Sequence, residues 1–104
     1  MSRHITIPRV EIEAFCRRNH VCSFGLFGSV VRDDFGPDSD VDILIEFEQG
    51  QEPDLFRLIE LQDDLTKMLG HKVDLVERRA VERSENYIRR RHILESVEPI
   101  YVAR

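Results

Sequence analysis

The sequence predicts one compact α/β or α+β domain spanning residues 1–104, and three observations carry that prediction. Segments of helical periodicity alternate with short β-branched runs, in the order helix, strand, helix, strand, helix, strand, helix, before a strand-like end. One segment, residues 54–69, is an amphipathic helix bounded by recognisable start and stop residues. The hydrophobic fraction of 41% in 104 residues suffices for a single modest core.

The elements follow in chain order. Pro8 to Asn19 predicts a first helix, with a proline suited to its first turn and with Val10, Ala14 and Phe15 at helical spacing. Val21 to Phe27, β-branched, aromatic and small, predicts a short buried strand. Gly28 to Asp34 predicts a short helix with Ser29 near its start, and residues 35–39 are a turn by composition. Residues 40–47, Asp-Val-Asp-Ile-Leu-Ile-Glu-Phe, predict the second strand, and Gln49 to Pro53 a loop. Asp54 is placed as the N-cap of a helix whose stripe is Leu55, Leu58, Ile59, Leu65, Met68 and Leu69, ended by Gly70. Lys72 to Val76 alternates as a third strand, Ser84 to Ser96 is an arginine-rich final helix, and Pro99 to Val102 is strand-like. Repeats, linkers and low-complexity tracts are absent from the sequence.

A net charge of −5 argues against general nucleic-acid binding, which needs a basic field. It leaves a nucleotide substrate open, because a bound cation reverses local charge. Cys16 and Cys22 have no metal or redox spacing and are expected to be buried thiols. The sequence shows neither a signal peptide nor a membrane-length apolar run, so the expected compartment is the cytoplasm, with no membrane.

Chemistry concentrates in Gly28-Ser29 and, ten residues on, Asp40-Val41-Asp42. Residues two apart on a strand share a face, so both carboxylates look one way. At ~5 Å and an effective dielectric of ~20 they repel by roughly 3 kcal/mol. A cation removes that repulsion, and two carboxylates with phosphate oxygens suit Mg²⁺. The alternative is two exposed aspartates at the mouth of a strand. Asp74, acidic inside the apolar third strand, joins them if the second and third strands are neighbours; otherwise it pairs with Lys72 or an arginine. Gly28 admits close backbone approach and Ser29 opens a helix start that attracts anions, although an ordinary serine N-cap would have the same sequence. Arg32 either steers a triphosphate or pairs with Asp33, Asp38 or Glu46. His71 is expected to be solvated, and Arg89-Arg90-Arg91 to form a solvated face unless it meets an acidic partner or RNA.

Gly28-Ser29, ten residues, Asp40-Val41-Asp42 and a later strand Val73-Asp74-Leu75-Val76 resemble the signature of polymerase-beta-like nucleotidyltransferases. The length resembles their minimal branch, the MNT domains, as do residues 26–32, residues 37–45 and the ending from Tyr87 to Tyr101. The resemblance implies that family's fold, a small mixed sheet flanked by helices. It implies that Asp40, Asp42 and Asp74 are catalytic and hold two Mg²⁺ ions, and that Gly28, Ser29 and Arg32 bind the nucleotide. It further implies transfer of a nucleoside monophosphate, AMP from ATP, to a hydroxyl. The family's minimal members resemble antitoxins paired with helical HEPN toxins, so the implied acceptor is a tyrosine of such a partner. This chain has no Arg-x4–6-His ribonuclease motif, consistent with the transferase half. The competing reading is a non-catalytic antitoxin that occludes its partner. Nucleotide preference and oligomer formation stay open.

Overall fold

The structure, a computed structural model, describes residues 7–31, 36 and 39–103, apart from the Ser29 side chain. The elements are α1 (Arg9–Arg18), β1 (Val21–Phe27), a 3-10 turn (Gly28–Val31), β2 (Val41–Phe47), α2 (Leu55–Leu69), β3 (Val73–Glu77), α3 (Arg78–Glu82), α4 (Tyr87–Ser96) and β4 (Glu98–Val102). The four strands form one mixed sheet in the order β3-β2-β1-β4. β1 runs antiparallel to β2 and β4, whereas β2 and β3 are parallel and joined through α2. This is the expected mixed α/β architecture.

Strand alternation divides the core in two. Val41, Ile43, Ile45 and Phe47 of β2 pack with Val73 and Leu75 of β3 and with the buried sides of α1 and α2. Leu44 of β2 faces the other way and packs with Phe27, Val81 and Ile93 beneath α3 and α4. The sheet thus carries α1 and α2 on one face and the two C-terminal helices on the other.

The helix faces differ from the expected stripes. In α1 the buried residues are Ile12, Phe15 and Cys16, and Phe15 meets Phe24 edge-on at 6.5 Å. Val10 is 84% exposed and Ala14 is exposed too, because both lie on the far side from Ile12. In α2 the buried residues are Leu61, Leu65 and Leu69, with Leu58 and Met68 packed against the same core. Leu55 and Ile59 are exposed. At about 100° per residue they lie roughly a quarter-turn or more from the Leu61–Leu65 direction, on a flank of the helix.

The ends of α2 match expectation. The Asp54 carboxylate accepts from the Arg57 N–H at 2.8 Å, and Gly70 closes the helix in the left-handed region at φ 73°. The Arg57 guanidinium also donates to Asn19 Oδ1 at 2.8 Å, tying the start of α2 to the end of α1. Helix α3 was not expected; it is a single short segment directly after β3, fixed by burial of Val81 and an ion pair from Arg79 to Glu52. α4 begins three residues later than predicted, at an Asn86 cap whose side chain accepts from the Arg89 N–H at 3.1 Å. Among the described residues, no helix is long and apolar enough to cross a membrane.

Candidate active site

Three adjacent strands, β1 by its last residues and β2 and β3 by their first, meet at one end of the sheet and bring Gly28, Asp42 and Asp74 side by side. Asp42 and Asp74 are register partners in the parallel β2–β3 pair, so their backbones stand side by side. Phe27, the last residue of β1, is the antiparallel partner of Asp42 on its other flank. The next residue, Gly28, turns the chain at φ +76° into the 3-10 segment. A Cβ there would lie 2.2 Å from Asp42 Oδ2, so glycine at 28 is what admits the Asp42 carboxylate. Neither residue's signal in the sequence reveals that close approach.

The pleat explains where Asp42 points. Its neighbours Val41 and Ile43 are buried in the core shared with α1 and α2, which turns Asp42 toward the opposite face. Asp42 is half-buried, whereas Asp74 is exposed. The expected penalty for an acid inside an apolar strand therefore does not arise: β3 is an edge strand, and Asp74 alternates onto its open side. Asp40 is exposed and precedes the first residue of β2, outside the strand expected over residues 40–47. The Val41 N–H, bonded to the Lys72 carbonyl at 2.8 Å, is where that ladder opens.

Ser29 lies in the 3-10 turn by its backbone, but its hydroxyl is outside the described residues, as is all of Arg32 together with Asp33 and Asp38. Among the described residues, no three carboxylate, histidine or cysteine side chains converge on one point. The donor chemistry nevertheless fits Mg²⁺, since hard carboxylate oxygens stand on neighbouring strands beside a glycine turn that leaves them room.

Cys16 is fully buried and its thiol is pushed up to about 12, by burial first and then by the Glu13 carboxylate. Cys22 is half-buried, a partial departure from expectation, and burial followed by Glu46 raises its pKa. His71 is half-buried in the turn before β3. Arg91 pairs with Glu95 at 2.8 Å, while Arg90 donates to the Ser84 carbonyl at 3.0 Å and stacks 5.4 Å from the Tyr87 ring centre. The arginine run is thus largely engaged within its own helix and the preceding loop.

The nucleotidyltransferase domain family matches residues 10–97. The chain belongs to that family. Among nucleotidyltransferase relatives, the protein adenylyltransferase MntA of Thermococcus cleftensis is 50% identical over 56 residues, 54% of this chain and 54% of MntA. A provisionally named protein adenylyltransferase of Methanocaldococcus jannaschii is 39% identical over 61 residues, 59% of this chain and 61% of that protein. The chain therefore spans little more than half the length of these relatives. A solved structure provisionally described as a minimal nucleotidyltransferase is 31% identical, with 88% of this chain and 87% of that chain aligned at a TM-score of 0.67. The same fold is found in a toxin–antitoxin structure with AMP-PNP, at 22% identity, TM-score 0.71, and coverage of 94% of this chain and 76% of that chain. It recurs in a Shewanella oneidensis complex of a tri-AMPylated HEPN toxin with an MNT antitoxin, at 22% identity, TM-score 0.61, and coverage of 91% and 70%.

Proposed function

We propose that this chain is a Mg²⁺-dependent adenylyltransferase that moves AMP from ATP to a protein hydroxyl, and that it acts as the antitoxin of a HEPN-type partner in the cytoplasm. The observation that carries this reading is the alignment of Gly28, Asp42 and Asp74 across three adjacent strand ends in a nucleotidyltransferase domain. The adenylyltransferase names of the relatives and the AMPylated toxin in the Shewanella complex support the choice of AMP and of partner.

In this reading Asp40, Asp42 and Asp74 would hold two Mg²⁺ ions. Bound there, the metal would neutralise the triphosphate and lower the pKa of the acceptor hydroxyl. The backbone at Gly28, with no side chain to obstruct it, lies against the β- and γ-phosphates, and Ser29 and Arg32 are assigned to the same phosphates. Asp74, exposed at the edge of the sheet, faces the incoming hydroxyl and takes up its proton. The acceptor oxygen forms a bond to the α-phosphorus as the bond from that phosphorus to the bridging oxygen breaks, and pyrophosphate leaves. The acceptor that best fits the family's toxin pairs is a tyrosine phenol.

Incubating the chain with its HEPN partner, ATP and Mg²⁺ should add about 329 Da per AMP to the partner by intact-mass spectrometry, and chelation should stop it. A partner that is silenced with no adduct would overturn transfer in favour of occlusion.

A further inference from the structure

Among the described residues, Asp74 sits on a five-residue edge strand with β2 as its one strand neighbour. The amides on either side of it are captured by α2. The Val73 N–H donates to Thr66 Oγ1 at 3.2 Å, and the Leu75 N–H donates to Gln62 Oε1 at 3.0 Å. The spacing fits: four residues of helix rise about 6 Å, and two residues of strand about 6.6 Å. The Thr66 hydroxyl spends its own proton on the Gln62 carbonyl at 2.9 Å, which leaves its oxygen facing Val73. Side chains thus stand where a further strand would otherwise bond, and they bracket the candidate catalytic carboxylate.

We propose that Gln62 and Thr66 are positioning residues for Asp74. With β2 holding one side of β3 and these two acceptors holding the other, the strand cannot slide or tilt, and the Asp74 carboxylate stays level with Asp42. Mg²⁺ demands near-ideal octahedral geometry, so carboxylates that share it tolerate little displacement. Gln62 and Thr66 lie on one flank of α2, away from its buried stripe, and neither would be singled out by hydrophobic patterning. The inference rests on reading Asp42 and Asp74 as the metal and acceptor pair.

The test uses Mn²⁺ as a probe, followed by electron paramagnetic resonance in the presence of ATP, alongside AMP transfer to the partner. Gln62→Leu and Thr66→Val should weaken Mn²⁺ binding about 10- to 100-fold, the range for losing a group that orients a metal ligand. They should lower kcat by a similar factor, with KM for ATP unchanged. Gln62→Glu and Thr66→Ser, which keep an acceptor oxygen in reach, should behave as wild type. Variants that merely melt earlier, with Mn²⁺ affinity and kcat intact, would reduce these side chains to edge protection and overturn the proposal. If Gln62→Leu fails to fold, Gln62→Asn decides, since it keeps the amide but falls one methylene short; wild-type behaviour there also overturns it. A wild type that binds no Mn²⁺ overturns the metal reading and this inference together. A wild type that binds Mn²⁺, loses it in Gln62→Leu, yet transfers no AMP would overturn the proposed reaction alone.

Discussion

Gly28 shows how much one residue can decide. Its φ of +76° already disfavours any side chain, and a Cβ would meet Asp42 Oδ2 at 2.2 Å. Gly28→Ala should cost about 1–2 kcal/mol of stability from the left-handed backbone, before the Asp42 contact is counted. It should also depress AMP transfer far more than its effect on melting explains; unchanged kinetics would remove the turn from the site. Asp42→Asn should leave the circular dichroism spectrum intact and abolish the proposed transfer, and full activity in that variant would remove Asp42 from the chemistry. Cys16 gives a pH prediction. Its thiol is held neutral up to about 12 when folded, above the ordinary value of 9.0. A raised pKa stabilises fully below the ordinary value, so its contribution should erode from pH 9 toward 12 as the unfolded thiol ionises. Below that window, Ellman's reagent should label Cys22 in the native protein and reach Cys16 only after denaturation. The sequence made Asp42, Asp74 and Gly28 visible through their types and spacing. It could not show that Gly28 and Asp42 touch, because that contact depends on strand register.

At the level of elements, caps and strands were more legible than helix faces. Asp54 and Gly70 bounded α2 correctly, because a capping carboxylate and a left-handed glycine are local features. Which side of α2 is buried depends on how the helix lies on the sheet. That is why Leu61 belongs in the core while Leu55 and Ile59 do not. The same limit applied to α1, where Ile12 and not Val10 turns inward. The short α3 has no periodicity to detect over five residues and is held by tertiary contacts. The cap can be checked directly. Asp54→Ala removes the acceptor of the 2.8 Å bond from the Arg57 amide and should cost about 1 kcal/mol in urea unfolding. Asp54→Ser should recover most of it, whereas equal loss in both would mean the carboxylate acts through charge and not through the cap.

The whole molecule separates its candidate chemistry from its largest exposed apolar side chains. Asp42 and Asp74 stand at one end of β2 and β3, while Leu55 and Phe56 protrude from the first turn of α2, and Tyr87 and Ile88 from the start of α4. A net charge of −5 gives little attraction for a phosphate backbone, which agrees with the proposed recognition of an acceptor through protein contact. Binding and transfer should then be separable by mutation. Asp74→Asn removes one exposed carboxylate at the sheet edge and no apolar surface. It should therefore leave the affinity for the proposed HEPN-type partner within about twofold of wild type, a change of under 0.5 kcal/mol. The AMP adduct should disappear from the partner's mass spectrum, and the partner should stay toxic when the two are co-expressed. Affinity is read by calorimetry and neutralisation by growth. If Asp74→Asn binds and silences the partner as wild type does, the carboxylate has no part in neutralisation. With no adduct in either sample, the proposed neutralisation would then run by occlusion and not by transfer.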